Sequence, residues 1–259
     1  MKLIKSKLEH KNFILESGKQ IDSLQICYHT FGTYTKKSKV IWICHASTAN
    51  SDFADWWSGV FYENSIFDRE EYFIICANSL GSCYGTTGPL NSDENQSYLN
   101  FPFFTVRDVA NAELLLAEEL GISKIFAAIG GSFGGSQALE FAYSFSGQIE
   151  NLVLIACAAK ESAWGIAIHE SQRMALQADP TFGEPNGGGN GIRAARAIGM
   201  LTYRSQLSFE KQQANYDDRV DQFDVASYIQ YQGKKFDDRF DALAYYYLSK
   251  CLDSHNLGR

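Results

Sequence analysis

The sequence predicts an α/β fold: a mostly parallel sheet with helices on both faces, followed by a helical cap. Three observations predict it. Apolar runs of strand length, residues 40–44, 72–76, 125–129 and 151–157, alternate with helical stretches, as parallel strands covered on both sides require. One of these runs passes straight into Gly130-Gly131-Ser132-Phe133-Gly134 and then into a stretch rich in small residues. Past Ala159 the character turns helical, with no further buried strand evident.

Taken in order, residues 13–16 and 24–31 read as an antiparallel pair joined by the turn-like Ser17-Gly-Lys-Gln-Ile-Asp-Ser23. Residues 40–44 form the next strand and end in His45-Ala-Ser-Thr-Ala-Asn50. Residues 72–76 form another and end in the long loop Ala77-Asn-Ser-Leu-Gly-Ser-Cys-Tyr-Gly-Thr-Thr-Gly-Pro89. A helix is expected over 105–120, carrying Val106, Val109, Leu114 and Leu116 and stopped by Gly121. The strands 125–129 and 151–157 flank the glycine-rich turn and its helix. Further helices are expected over 162–177, 192–205 and 240–252, with residues 181–191 as a flexible loop. The glycines of that loop follow no strand and lack the Lys-Ser/Thr of a P-loop, so they are not read as a phosphate cradle. The core is placed at 1–159 and the cap at 160–259. Function in such sheets collects at the carboxyl ends of strands, where His45–Asn50, Asn78–Pro89 and Ser132 all fall.

Composition narrows the function. A hydrophobic share of 45% across 259 residues is enough for a real core. A net charge of −7 with no basic block gives nucleic-acid binding no support. The first ten residues contain no apolar signal region, and no run is long enough to span a membrane. The six cysteines are scattered without a C-x-x-C pair, so reduced thiols in a cytoplasmic protein are expected and no metal site is.

Gly130-Gly131-Ser132-Phe133-Gly134 fits G-x-S-x-G in the strand–turn–helix context of a nucleophile elbow. Such a turn is too tight for side chains beside the serine. It would present Ser132 Oγ above the sheet and aim the Phe133 N–H and the start of the helix at an oxyanion. The alternative is a glycine-rich turn with an incidental serine.

Several segments extend the pattern: Cys44-His-Ala-Ser-Thr48, Asn78 through Pro89, Gly130-Gly-Ser-Phe-Gly-Gly135, Gly199-Met-Leu-Thr-Tyr-Arg204, Tyr231-Gln-Gly-Lys-Lys-Phe236 and Arg239-Phe-Asp-Ala242. Together, in this order across nearly the whole chain, they resemble the homoserine O-acyltransferase family of the α/β-hydrolase fold. The resemblance implies a ping-pong transfer of an acetyl (or succinyl) group from acyl-CoA to the hydroxyl of L-homoserine, toward methionine. Acetyl-CoA or succinyl-CoA would be a co-substrate, with no permanently bound cofactor. A homodimer through the cap helices is the partner expectation. The resemblance makes Ser132 the nucleophile and the backbone N–H groups of Phe133 and Ser47 the oxyanion hole. It places Thr48 with the substrate and makes Arg173, in Ser171-Gln-Arg-Met174, the arginine that binds the homoserine carboxylate, a task suited to a guanidinium fork. Ser47, Ala49 and Ser136 stand where the family commonly has leucine, glycine and methionine.

The family carries its triad Asp and His after the cap, in the chain order Ser, Asp, His. This sequence ends at Ser254-His-Asn-Leu-Gly-Arg259, two strand–helix units short of that pattern. The expectation is a truncated chain, nearly inactive alone, with its last strand left as an apolar edge. No histidine is assigned as the base. His10 and His29 precede the core strands and His45 belongs to the oxyanion loop. His169 lies ahead of any candidate acid, and His255 sits at a terminus expected to fray. A serine esterase of the same fold remains an alternative. So does a non-catalytic interaction module built on the aromatic cap, with Tyr228, Tyr231, Tyr245, Tyr246 and Tyr247.

Overall fold

Strand pairing follows the distribution of apolar residues. In the computed structural model, which describes residues 2–62, 65–68, 70–214 and 220–259, β1 (Ile4–Ile14) and β2 (Gln20–Phe31) form an antiparallel hairpin. β3 (Lys39–Cys44), β4 (Tyr72–Ala77), β5 (Ile125–Gly131) and β6 (Ile149–Ile155) are mutually parallel. The sheet order is β1-β2-β4-β3-β5-β6. β3 is apolar without alternation because both its faces are covered. Trp42 packs on one face, 5.0 Å from the Phe141 ring. Ile41 and Ile43 pack on the other, with Phe53 and Phe61. α1 (Phe53–Trp56) is a single turn, and α2 (Val106–Glu119) opens with a capping box between Thr105 and Asp108. α3 (Phe133–Ser144) follows β5 directly.

β1 extends well beyond the expected residues 13–16. Its sequence, IKSKLEHKNFI, pairs on one side and is largely exposed, so it carries no apolar alternation to read. β6 ends the sheet, and Leu152, Val153, Leu154 and Ile155 are 39–48% exposed. That is the apolar edge the sequence anticipates.

After the sheet come α4 (Ala163–Gln177), α5 (Gly189–Thr202), α6 (Gln206–Gln213), α7 (Asp224–Asp237) and α8 (Ala242–Asp253). α7 is not among the helices expected from the sequence, although Val225, Tyr228, Ile229 and Phe236 fall on one face of it; of its residues only Gly233 and Phe236 are buried. Residues 181–188 are pinned rather than loose: Asp179 Oδ1 accepts from Thr181 N and its Oδ2 from Gly191 N, each at 2.9 Å. α5 accordingly starts inside the glycine cluster, after Gly188 at φ +81°. α8 binds the cap to the core. The Tyr247 ring lies 5.5 Å from Phe101, and its hydroxyl donates to Leu99 O at 3.1 Å. The last residues do not fray. His255 is buried, its carbonyl accepts from Glu161 N at 2.9 Å, and Leu257 N donates to Ala159 O at 2.8 Å. Among the described residues no helix is long and apolar enough to cross a membrane.

Behind β3 sits a buried acid. Glu113 Oε2 accepts from Trp42 Nε1 at 3.0 Å and from Cys44 Sγ at 3.3 Å, while its Oε1 has no partner. Burial pushes its carboxyl up from 4.5 to about 7. A folded-state value above the unfolded one gives stability that is complete below about 4.5 and lost as pH rises through about 7. Glu113→Gln should remove that loss, on the order of 3 kcal/mol. Urea unfolding at pH 5 and pH 8 measures it: the wild type should weaken between the two, and the variant should not.

Candidate active site

Ser132 is the junction between β5 and α3. It takes φ +55° and ψ −125°, a region that costs a non-glycine residue about 1–3 kcal/mol. Two bonds fix it there: Ser132 N donates to Ile155 O at 2.9 Å, and Ser132 O accepts from Gly135 N at 2.9 Å. The serine is exposed and the following Phe133 is buried. The close approach of α3 to β3 needs Gly134, because a Cβ there would overlap the Cys44 carbonyl oxygen.

The loop after β3 supplies the second wall. His45 is 1% exposed, and burial holds its imidazole down at about 4, so it is neutral near pH 7. Its Nδ1 donates to Ala46 O at 2.7 Å and its Nε2 accepts from Ser79 N at 3.0 Å. Gln137 of α3 closes the network, donating to His45 O at 3.3 Å and accepting from Ser79 Oγ at 3.2 Å. His45 is thus a brace for the loop, tied to both Ser79 and α3. The 78–89 loop is a second brace: Thr86 and Thr87 hydroxyls accept from Cys27 N at 2.9 Å and Gln25 N at 2.8 Å.

These braces leave two amides free. Among the described residues neither Ser47 N–H nor Phe133 N–H has a protein acceptor. Ser47 and Ser132 line one cavity of about 100 Å³. The positively polarised N-terminus of the 12-residue α3 opens beside the serine. The arrangement can hold a tetrahedral oxyanion next to a nucleophile.

The cap forms the far wall, with His169, Gln172 and Tyr245 on the same cavity. Sequence reasoning left His169 without an acid. The structure gives it one, since His169 Nδ1 lies 2.7 Å from Asp253 Oδ1. Asp253 Oδ2 in turn accepts from Arg173 Nη2 at 2.6 Å, and Arg173 also meets Glu170 and Ser249. Arg173 does not line the Ser132 cavity; it borders a separate one of about 430 Å³ with Lys250 and Phe103. Thr48 turns its carbonyl to Arg239, whose Nη1 donates to it at 2.7 Å. No histidine nitrogen among the described residues hydrogen-bonds Ser132 Oγ.

Arg239, which opens one of the segments that carry the resemblance, is assigned no role from the sequence. From the turn between α7 and α8 it clamps the carbonyl one residue past Ser47, lies 5.0 Å from the Phe236 ring and bonds Tyr84 Oη at 3.3 Å. Arg239→Ala should loosen the Ser47 amide and slow acylation of Ser132 on the order of ten- to a hundredfold. Stopped-flow acylation by p-nitrophenyl acetate measures it, and an unchanged rate would show that the loop holds itself.

Residues 39–186 match the family model described as alpha/beta hydrolase fold. The structure of esterase E22 superposes with a TM-score of 0.86 at 23% identity, over 99% of this chain and 81% of that one, a likeness of fold. A homoserine O-acetyltransferase from Staphylococcus aureus superposes with a TM-score of 0.81 at 31% identity, over 100% of this chain and 74% of that one. The homoserine O-acetyltransferase of Cyclobacterium marinum is 44% identical over 251 residues, 95% of this chain and 72% of the relative. With that identity over that length, and with the serine elbow and its amides in place, the chain belongs to the homoserine O-acetyltransferase family of the α/β-hydrolase fold.

Proposed function

We propose that this chain transfers an acetyl group from acetyl-CoA to the side-chain hydroxyl of L-homoserine through an ester on Ser132, a step toward methionine. The observation that carries the reading is the exposed Ser132 at φ +55°, sharing a cavity with Ser47 and flanked by two unpartnered amides. In the first half-reaction the serine oxygen bonds the acetyl carbon, the thioester C–S bond breaks, and the serine proton leaves with the CoA thiol. In the second the homoserine oxygen bonds the same carbon, the ester bond to Ser132 breaks, and the homoserine hydroxyl's proton passes to the serine oxygen. The Ser47 and Phe133 amides receive the negative charge in both.

Residues 1–159 supply the nucleophile and the amides, and 160–259 act as the cap that shields the ester from water. Thr48, next to Ser47 in the loop after β3, is the further residue proposed to meet the substrate. Arg173 is proposed to bind the substrate carboxylate, and a bidentate grip would require Asp253 or Glu170 to release it, because both hold its guanidinium.

Incubation with acetyl-CoA should add one acetyl mass to the chain, slowly because no histidine among the described residues bonds Ser132 Oγ, and L-homoserine should then remove it as O-acetylhomoserine. An esterase reading is favoured by the exposure of Ser132 to solvent. Discharge to free acetate at the same rate with and without homoserine would establish the esterase and end the transferase reading.

A further inference from the structure

His169 stands on α4 and Asp253 at the end of α8, 84 residues apart in sequence and 2.7 Å apart in space. With a carboxylate as its partner, Nδ1 carries the hydrogen and Nε2 is left as an acceptor. Among the described residues that second nitrogen has no protein partner and is not among the buried unpartnered atoms, and the residue lines the Ser132 cavity. Nε2 is therefore the polar atom His169 offers to whatever sits over the serine. The support behind it is built: the Asp253 side chain is 17% exposed and that of Arg173, its other partner, is 7% exposed. Counting Glu170, Arg173 and Asp253, the cluster behind the imidazole carries one net negative charge.

The geometry points to His169 as the residue that receives the α-ammonium group of the amino-acid acceptor, with Asp253 and Arg173 as positioning residues. An ammonium supplies the N–H donor that Nε2 lacks, and its positive charge complements the cluster. Binding the acceptor's ammonium at the cap would direct its hydroxyl toward the ester on Ser132. This inference rests on the proposed transfer to a hydroxy amino acid and specifies which end of that acceptor the cap reads.

The test uses the whole chain and three probes: L-homoserine, 3-aminopropan-1-ol, which lacks the carboxylate, and 4-hydroxybutanoate, which lacks the ammonium. Histidine ring signals in NMR should show His169 shifting with the first two and not with the third. His169→Asn keeps an N–H for Asp253 but has nothing in the place of Nε2. It should weaken homoserine and 3-aminopropan-1-ol about tenfold or more and leave the affinity for 4-hydroxybutanoate unaltered, a selectivity that general loosening would not produce. Asp253→Asn, which keeps the shape, should show the same ranking with a smaller loss. A His169 shift produced by 4-hydroxybutanoate, equal weakening of all three probes, or no shift at saturating homoserine would each overturn the inference. Acetylation of Ser132 by acetyl-CoA, measured separately by intact mass, isolates the two readings. If it occurs while selectivity is unchanged, only this inference falls; if it fails, the transferase reading falls with it.

Discussion

Ser132→Ala should abolish the acetyl adduct while leaving the fold intact. The hydroxyl makes no hydrogen bond to the protein among the described residues, so its removal strands no partner. Alanine pays the same conformational strain at φ +55° as serine does, and the unfolding free energy should stay within about 0.5 kcal/mol. Chemistry is a different matter. Without the oxygen there is no ester, and only the two amides and substrate binding remain, so acetyl transfer should fall on the order of 10³-fold or more. Intact-mass measurement after incubation with acetyl-CoA reads this directly. An adduct of undiminished yield would place the acyl group elsewhere and remove the ground for the proposed function.

The serine was legible because an elbow is local. A buried strand, a run of glycines and a helix start lie within about a dozen consecutive residues, and each leaves its own mark. The parallel strands were legible for the same reason, as β3 shows with its uninterrupted apolar run. What escaped was set by distant contacts. β1 is largely exposed, with Phe13 its only buried residue, and α7 carries an apolar stripe of Val225, Tyr228, Ile229 and Phe236 of which only Phe236 reaches the core. The His169–Asp253 pair joins two helices 84 residues apart, and looking for an acid ahead of the histidine in the chain hid it. Arg173 illustrates the opposite limit. Its motif position suggested a substrate carboxylate, whereas packing of α4 on α8 delivered the protein's own Asp253 to it. The Asn78–Pro89 loop, one of the segments that carry the resemblance, holds β2 and His45 in place.

Gly134→Ala should do more damage than any single methyl group would at the surface. An ideal Cβ there would overlap the Cys44 carbonyl oxygen, lie 2.7 Å from the Cys44 carbonyl carbon and 2.9 Å from the His45 carbonyl carbon. All of these are backbone, which no rotamer change can move aside. Either α3 retreats from β3 or the 45–50 loop is displaced, and each carries one of the two amides proposed to receive the oxyanion. Overpacking of this kind costs about 1–3 kcal/mol, and a shift of about 1 Å in a catalytic group costs on the order of a hundredfold in rate. The variant should therefore lose both stability and Ser132 acylation. Gly59→Ala is the control, since a Cβ there meets nothing within 4 Å, and it should change stability by less than about 0.5 kcal/mol. Parallel urea titrations and p-nitrophenyl acetate burst measurements on the two variants decide the point. If Gly134→Ala acylates as fast as Gly59→Ala, the spacing between Phe133 and Ser47 is not what prepares this serine, and the case for two cooperating amides is lost.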